Sequence, residues 1–195
     1  MNLRQLLEIL GIVKRPAIGD CCVLRLEISG LTRLSERLSA DDILRSMQKL
    51  QQNIADAGNT EKAIIYAYDI GDFLVVFQTH NMVGTADSVV GFLKNVDSIV
   101  TCFVSAFDKP TPQITTTVGI ACGVAFFPSG SQVPVMGTIV NEAGYAKAAA
   151  KGIGVRIGIV GHSADRFRNK FQLVEHKVRL QHDGTEQPFT VFEAK

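Results

Sequence analysis

The stretch VLRLEISGLTRLSERLSADD, Val23 to Asp42, ends an apolar run on one carboxylate, Glu27, and follows it at once with a glycine turn and a helix start. A carboxylate so placed is an oxygen ligand for Mg²⁺ or Mn²⁺, and the backbone N–H groups of a helix start can receive a phosphate. The plainer reading of Glu27 is a strand-end charge that caps the helix behind it. Asp69 and Asp72 stand in a second acidic turn, within AIIYAYDIGDFLVVF. Asp-Ile-Gly-Asp suits a tight hairpin with or without a metal.

Around these residues the chain reads as one domain of 195 residues, 46% of them apolar, which is enough for a normal core. Twenty Lys and Arg stand against 19 Asp and Glu, a formal net charge of +1. Nothing in that balance suggests nucleic acid or an anionic membrane as a bulk electrostatic partner. No uninterrupted apolar run approaches the roughly 18 residues that span a bilayer, and Met1 to Ala17 lacks a basic head followed by an apolar block. A soluble, cytoplasmic protein is expected. Cys21, Cys22, Cys102 and Cys122 show no C-x-x-C spacing and lie in or beside apolar runs, so buried reduced thiols are expected.

The elements that must position the acidic residues follow from patterning. Leu3, Leu6, Leu7 and Leu10 form a helical stripe ended by Gly11, which predicts an N-terminal helix and linker over 1–19 and a main domain over 20–195. CCVLRLEI predicts a strand. SADDILRSMQKLQQNIADAG predicts a helix with Ser39 as N-cap, and AIIYAYDIGDFLVVF a hairpin. A long helix over TADSVVGFLKNVDSIVTCFVSAF and a glycine-interrupted strand over QITTTVGIACGVAFF come next. GTIVNEAGYAKAAAKG reads as an Ala-rich helix, VRIGIV as a strand, SADRFRNKF as a short helix, and HKVRLQ with FTVFEA as a last hairpin. The order β-α-β-β-α-β, then α-β-α-β-β, predicts an α+β fold, with helices packed on a mainly antiparallel sheet.

Five of these segments, in order, resemble the class III adenylate/guanylate cyclase catalytic domain, whose core is a ferredoxin-like palm. They are LRLEISGLTRLSERL, YDIGDFLVVF, GIACG, GTIVNEAGYAKAAAKG, and SADRFRNKF with VRLQHDGTEQPFTVFEA. GVAFFPSG and NEAGYAKAAAKG are also similar to the diguanylate cyclase family, which shares the palm but not the closing helix and hairpin.

The class III resemblance implies a metal site of two carboxylates, at positions that match Glu27 and Asp72, joined by the Ile28 carbonyl and loaded with Mg²⁺ or Mn²⁺ if the protein is active. Two divalent ions about 4 Å apart would clamp the attacking and leaving oxygens. It implies a phosphate-binding turn over Ser29, Gly30, Leu31 and Thr32. Asn141 matches the asparagine that orients the ribose. Other positions depart from the pattern: Tyr68 stands where a lysine selects the purine, Pro134 where its acidic partner would be, and Tyr145 where an arginine stabilises the pentavalent phosphate. No cation stands over Gln181 to Asp183, where a lysine would hold phosphate. Losing one such preorganised charge costs about 10²- to 10³-fold in rate.

Lys147 and Lys151 are off the Asn141 face by helical spacing, which makes them poor substitutes. Lys177 and Arg179 read as solvated edge charges and His182 as a loop residue. Tyr68 could stack on a base, although packing in the sheet is the commoner role of a strand tyrosine. The hairpin is one residue shorter than the family's, so a slip could turn Asp72 to the other face.

Two functions follow. One is a degenerate cyclase-homology domain that dimerises and regulates or binds nucleotide; the other is an active, metal-dependent nucleotidyl cyclase with non-standard base selection. The resemblance also implies a head-to-tail homodimer, or a heterodimer with a cyclase-like subunit that supplies the missing cations, with a nucleoside triphosphate at the interface.

Overall fold

Alternation along β1 (Ala17–Ser29) sends Cys22, Leu24, Leu26 and Ile28 to one face and Cys21 and Val23 to the other, and all six are buried. A strand buried on both faces belongs inside a sheet. β1 is accordingly flanked by antiparallel β3 (Asp72–Gln78) and β4 (Thr115–Phe127). The computed structural model describes residues 17–36, 38–79, 82–107, 113–128, 134–182 and 185–195. The expected N-terminal helix lies outside them, and β1 already starts at Ala17.

The remaining strands are β2 (Ile64–Asp69), β5 (Ile157–Val160), β6 (Leu173–His182) and β7 (Thr185–Ala194), and the seven-stranded sheet runs β2-β3-β1-β4-β5-β7-β6. β4 and β5 pair in parallel while the other neighbours are antiparallel, which is the α+β arrangement expected. His182 pairs with Thr185 as the last residue of β6, so it is a strand residue and not a loop residue.

Helices α1 (Ala40–Thr60) and α2 (Met82–Ser105) cover one face, burying Met47, Leu50, Ile54, Val89, Phe92 and Val96. Ser39 caps α1, its hydroxyl accepting from Asp42 N at 3.2 Å. Within α2, Gly84–Ser105 is long and apolar enough to cross a membrane by length and composition. That length is reached only across Asp87, Lys94 and Asp97, so the segment is not an uninterrupted apolar run. In the domain, its apolar side is part of the core.

Helix α3 (Thr138–Gly152) covers the opposite face with Ile139, Ala143, Ala146 and Ala149. Small residues on both sides let it lie close. A Cβ on Gly119 of β4 would stand 2.0 Å from the Ala143 carbonyl oxygen, and one on Gly158 of β5 2.7 Å from that of Ala146. This close approach fixes where the polar side of α3 reaches.

Two smaller expectations change. In place of a helix over SADRFRNKF, a 3-10 helix starts two residues earlier and spans Gly161–Phe167, and Cys102 on α2 is exposed while Cys21, Cys22 and Cys122 are buried. Cys22 and Cys122 face each other across β1 and β4 with their sulfurs 2.9 Å apart.

Candidate functional site

Glu27 and Asp72 are direct partners in the β1–β3 register. The short hairpin does not turn Asp72 away, contrary to expectation. In β2, Ala67 faces Phe73 but Asp69 already faces Asp72, which leaves Tyr68 as the extra residue of a bulge. Asp69 serves the turn, accepting from Ile70 N at 2.7 Å.

The acidic pair is met by cations of the same chain. Lys147 Nζ lies 3.0 Å from Glu27 Oε2 and 3.5 Å from Asp72 Oδ1. Lys151 Nζ donates to Glu27 Oε1 at 2.5 Å, and Arg25 Nη2 to Asp72 Oδ2 at 2.9 Å. Ser29 Oγ donates to Glu27 Oε1 at 2.8 Å. Every oxygen of both carboxylates therefore has a donor. Burial would push the Glu27 carboxyl up, but hydrogen bonds from Lys151, Ser29 and Lys147 and the charge of Lys147 overturn that and bring it down to about 2.

Helical spacing alone gives Lys147 and Lys151 no link to the acidic pair, against which the structure places both. They are one helical turn apart, and the close seat of α3 aims both at the sheet end. Arg25 went unnoticed too, although a cation two residues before Glu27 must share its strand face.

The expected residues fall into two clefts. The first, about 540 Å³, is lined by Glu27, Ile28, Ser29, Gly30, Leu31, Thr32 and Asp72, together with Asp69 and Met47 among others. Its ionisable lining is acidic. Ser29 spends its hydroxyl on Glu27, Leu31 is buried, and the Ile28 carbonyl oxygen faces Gly71, where a Cβ would come within 2.8 Å of it. Gly71 needs its φ of +137° for that turn.

The second cleft, about 350 Å³, lies between β1 and α3 and is lined by Arg25, Val140, Asn141, Gly144, Tyr145 and Lys147. Tyr145 meets Phe189 edge to face at 6.3 Å. Tyr68 neither packs inside the sheet nor lines either cleft. It is 50% exposed, with the Arg25 guanidinium 4.6 Å over its ring. Lys177 and Arg179 are exposed edge charges, near Glu175 and Glu186.

A divalent ion fits these donors poorly. Between Glu27 and Asp72 it would have to displace Lys147 and compete with Arg25 and Lys151, three fixed positive charges around two negative ones. Among the described residues no three His, Cys, Asp or Glu side chains converge on one point.

No protein-family model and no curated protein matches the chain. Solved structures do. The adenylyl cyclase CyaB from P. aeruginosa superposes with a TM-score of 0.71 at 15% identity over 93% of this chain and 96% of that one. The catalytic core of a rhodopsin-guanylyl cyclase with converted specificity, in complex with ATPalphaS, gives 0.70 at 14% over 93% and 98%. The guanylate cyclase domain of RhGC from Catenaria anguillulae, in complex with GTP, gives 0.64 at 15% over 92% and 100%. The fold is thus that of class III adenylyl/guanylyl cyclase catalytic domains.

Proposed function

We propose that this chain is a class III cyclase-homology domain that has lost metal-dependent catalysis and acts as a dimerising regulatory module. The observation that carries it is the saturation of Glu27 and Asp72 by Arg25, Lys147 and Lys151. Catalysis by two divalent ions needs open carboxylate oxygens and adds positive charge between them. Here lysine and arginine supply that charge permanently and cannot deliver a polarised 3'-oxygen. The departures at Tyr68, Pro134 and Tyr145 point the same way, because they remove the groups that would read a purine and stabilise the phosphorane.

A second reading keeps one favourable observation: Glu27 and Asp72 share a face in direct register and Asn141 lines a cleft beside them. With a cyclase-like partner subunit, homodimeric or heterodimeric, those residues would serve a nucleoside triphosphate and a displaced Lys147 would make way for Mg²⁺ or Mn²⁺.

The test is turnover of ATP, GTP, CTP and UTP by the purified protein in Mg²⁺ and in Mn²⁺, with Asp72→Ala as control. No cyclic nucleotide is expected from any of them. A product that vanishes in the control would establish the second reading.

A further inference from the structure

We propose that Cys22 and Cys122 are a site of oxidative modification: a hydroperoxide converts the pair, inside the folded domain, into a disulfide that clamps the two central strands together. The residues are partners across β1 and β4, with their sulfurs 2.9 Å apart. A disulfide bond is about 2.05 Å long, so less than an ångström of movement closes it.

The ladder sets the two residues as a cross-strand disulfide needs them. Val118 of β4 donates its N–H to the Arg156 carbonyl on the β5 side, so every second residue from it, Cys122 included, turns its main-chain groups away from β1. The Cys122 N–H goes to Ser163 Oγ at 2.8 Å. Cys22 and Cys122 are therefore a non-hydrogen-bonded pair, the kind whose Cα atoms stand about 4.5 Å apart and whose side chains come closest. That spacing falls inside the range a disulfide accepts.

Of the two sulfurs, Cys122 is the one that attacks. Its hydrogen bond with Cys22 brings the thiol down from its ordinary value against the opposing effect of burial, and Arg166 and Ser163 add to the lowering. Cys22 moves the other way, chiefly by burial, and keeps its proton. Cys21, on the opposite face of β1, is pushed up to about 12, again chiefly by burial, and stays a thiol. The pair is buried, yet one rung from solvent. The next residues on its face, Asp20 and Val124, are also cross-strand partners, and both are exposed. Arg166, within hydrogen-bond reach of the Cys122 sulfur, is exposed as well. A small hydroperoxide has that one layer to pass.

The Cys122 sulfur attacks the hydroperoxide, the O–O bond breaks, and the sulfenic acid forms while the leaving oxygen takes the Cys122 proton and departs as alcohol or water. The Cys22 sulfur then attacks that of Cys122. The S–S bond forms, the S–O bond breaks, and hydroxide leaves with the Cys22 proton as water. Two thiols have lost two electrons and the hydroperoxide has gained them. The new bond joins positions 100 apart in the chain, so it takes much freedom from the unfolded state. It also ties the strand that carries Glu27 to the strand on which α3 rests at Gly119.

Hydrogen peroxide on the folded Cys102→Ser variant tests this, since the exposed Cys102 would otherwise react on its own account. Peptide mapping without reductant should find Cys22 joined to Cys122 and Cys21 still open to iodoacetamide after unfolding, and dithiothreitol should reverse the link. Oxidation should raise the melting temperature by roughly 5–10 °C. In Cys22→Ala the rise should vanish and dimedone should label Cys122, whose sulfenic acid then has no second thiol to close on. Should Cys22→Ala fail to fold, the peptide map decides by itself. A disulfide to Cys21, oxidation of the pair only in denaturant, or a closed bond that leaves the melting temperature unchanged would each overturn the proposal.

Discussion

At the scale of single residues, Glu27 sets a pH dependence whose sign is fixed. Its folded value of about 2 lies below the ordinary 4.5, so the stability it contributes is full above about 4.5 and is lost as pH falls towards 2. Melting temperature followed from pH 6 to pH 2 should fall less steeply in Glu27→Gln than in the wild type. Parallel curves would contradict the ion pairs. Lys147→Met, which leaves both carboxylates short of a partner in a half-buried setting, should cost about 1–3 kcal/mol in urea unfolding, between the exposed and buried limits. Glu27 and Asp72 were legible as a pair from the family-like motifs. Their partners were not, because Lys147 lies 75 positions from Asp72 and Lys151 lies 124 from Glu27. Helical spacing told which faces the lysines share, but not that a lysine stem would reach past that face to the sheet end.

At the scale of elements, the seat of α3 decides the site. An Ala-rich helix was plain in GTIVNEAGYAKAAAKG, and so were the glycines of GIACG, but their meeting was not. Gly119 is where they meet: its missing Cβ lets the Ala143 to Lys147 backbone rest on β4. Gly119→Ala should push α3 away and cost about 1–3 kcal/mol by overpacking. It should also raise the Glu27 carboxyl from about 2 towards its ordinary value, seen by NMR titration, because Lys147 and Lys151 ride on that helix. An unshifted Glu27 would mean the lysines hold their places independently of the helix seat. The hairpin shows a second limit of reading by spacing. Its missing residue suggested a flipped Asp72, and the unbroken β1–β3 register, which backbone pairing alone reveals, keeps it opposite Glu27.

At the scale of the whole molecule, the fold was legible because five short segments stood in order, and order survives where identity has fallen to about 15%. Strand alternation in β1 and the apolar stripes of α1 and α2 carry that order physically, since they require a central strand and a covered face. On that scaffold the acidic pair anchors α3, because Lys147 and Lys151 tie the helix to Glu27 and Asp72 at the sheet end.

Mn²⁺ binding, read by the loss of the free-ion EPR signal, tests this most directly on the wild type and on Lys147→Ala/Lys151→Ala. The wild type should leave the Mn²⁺ signal undiminished up to millimolar ion, and the double variant should bind, since removing both ammonium groups reopens Glu27 and one side of Asp72. Tight Mn²⁺ binding by the wild type, abolished by Asp72→Ala, would contradict it.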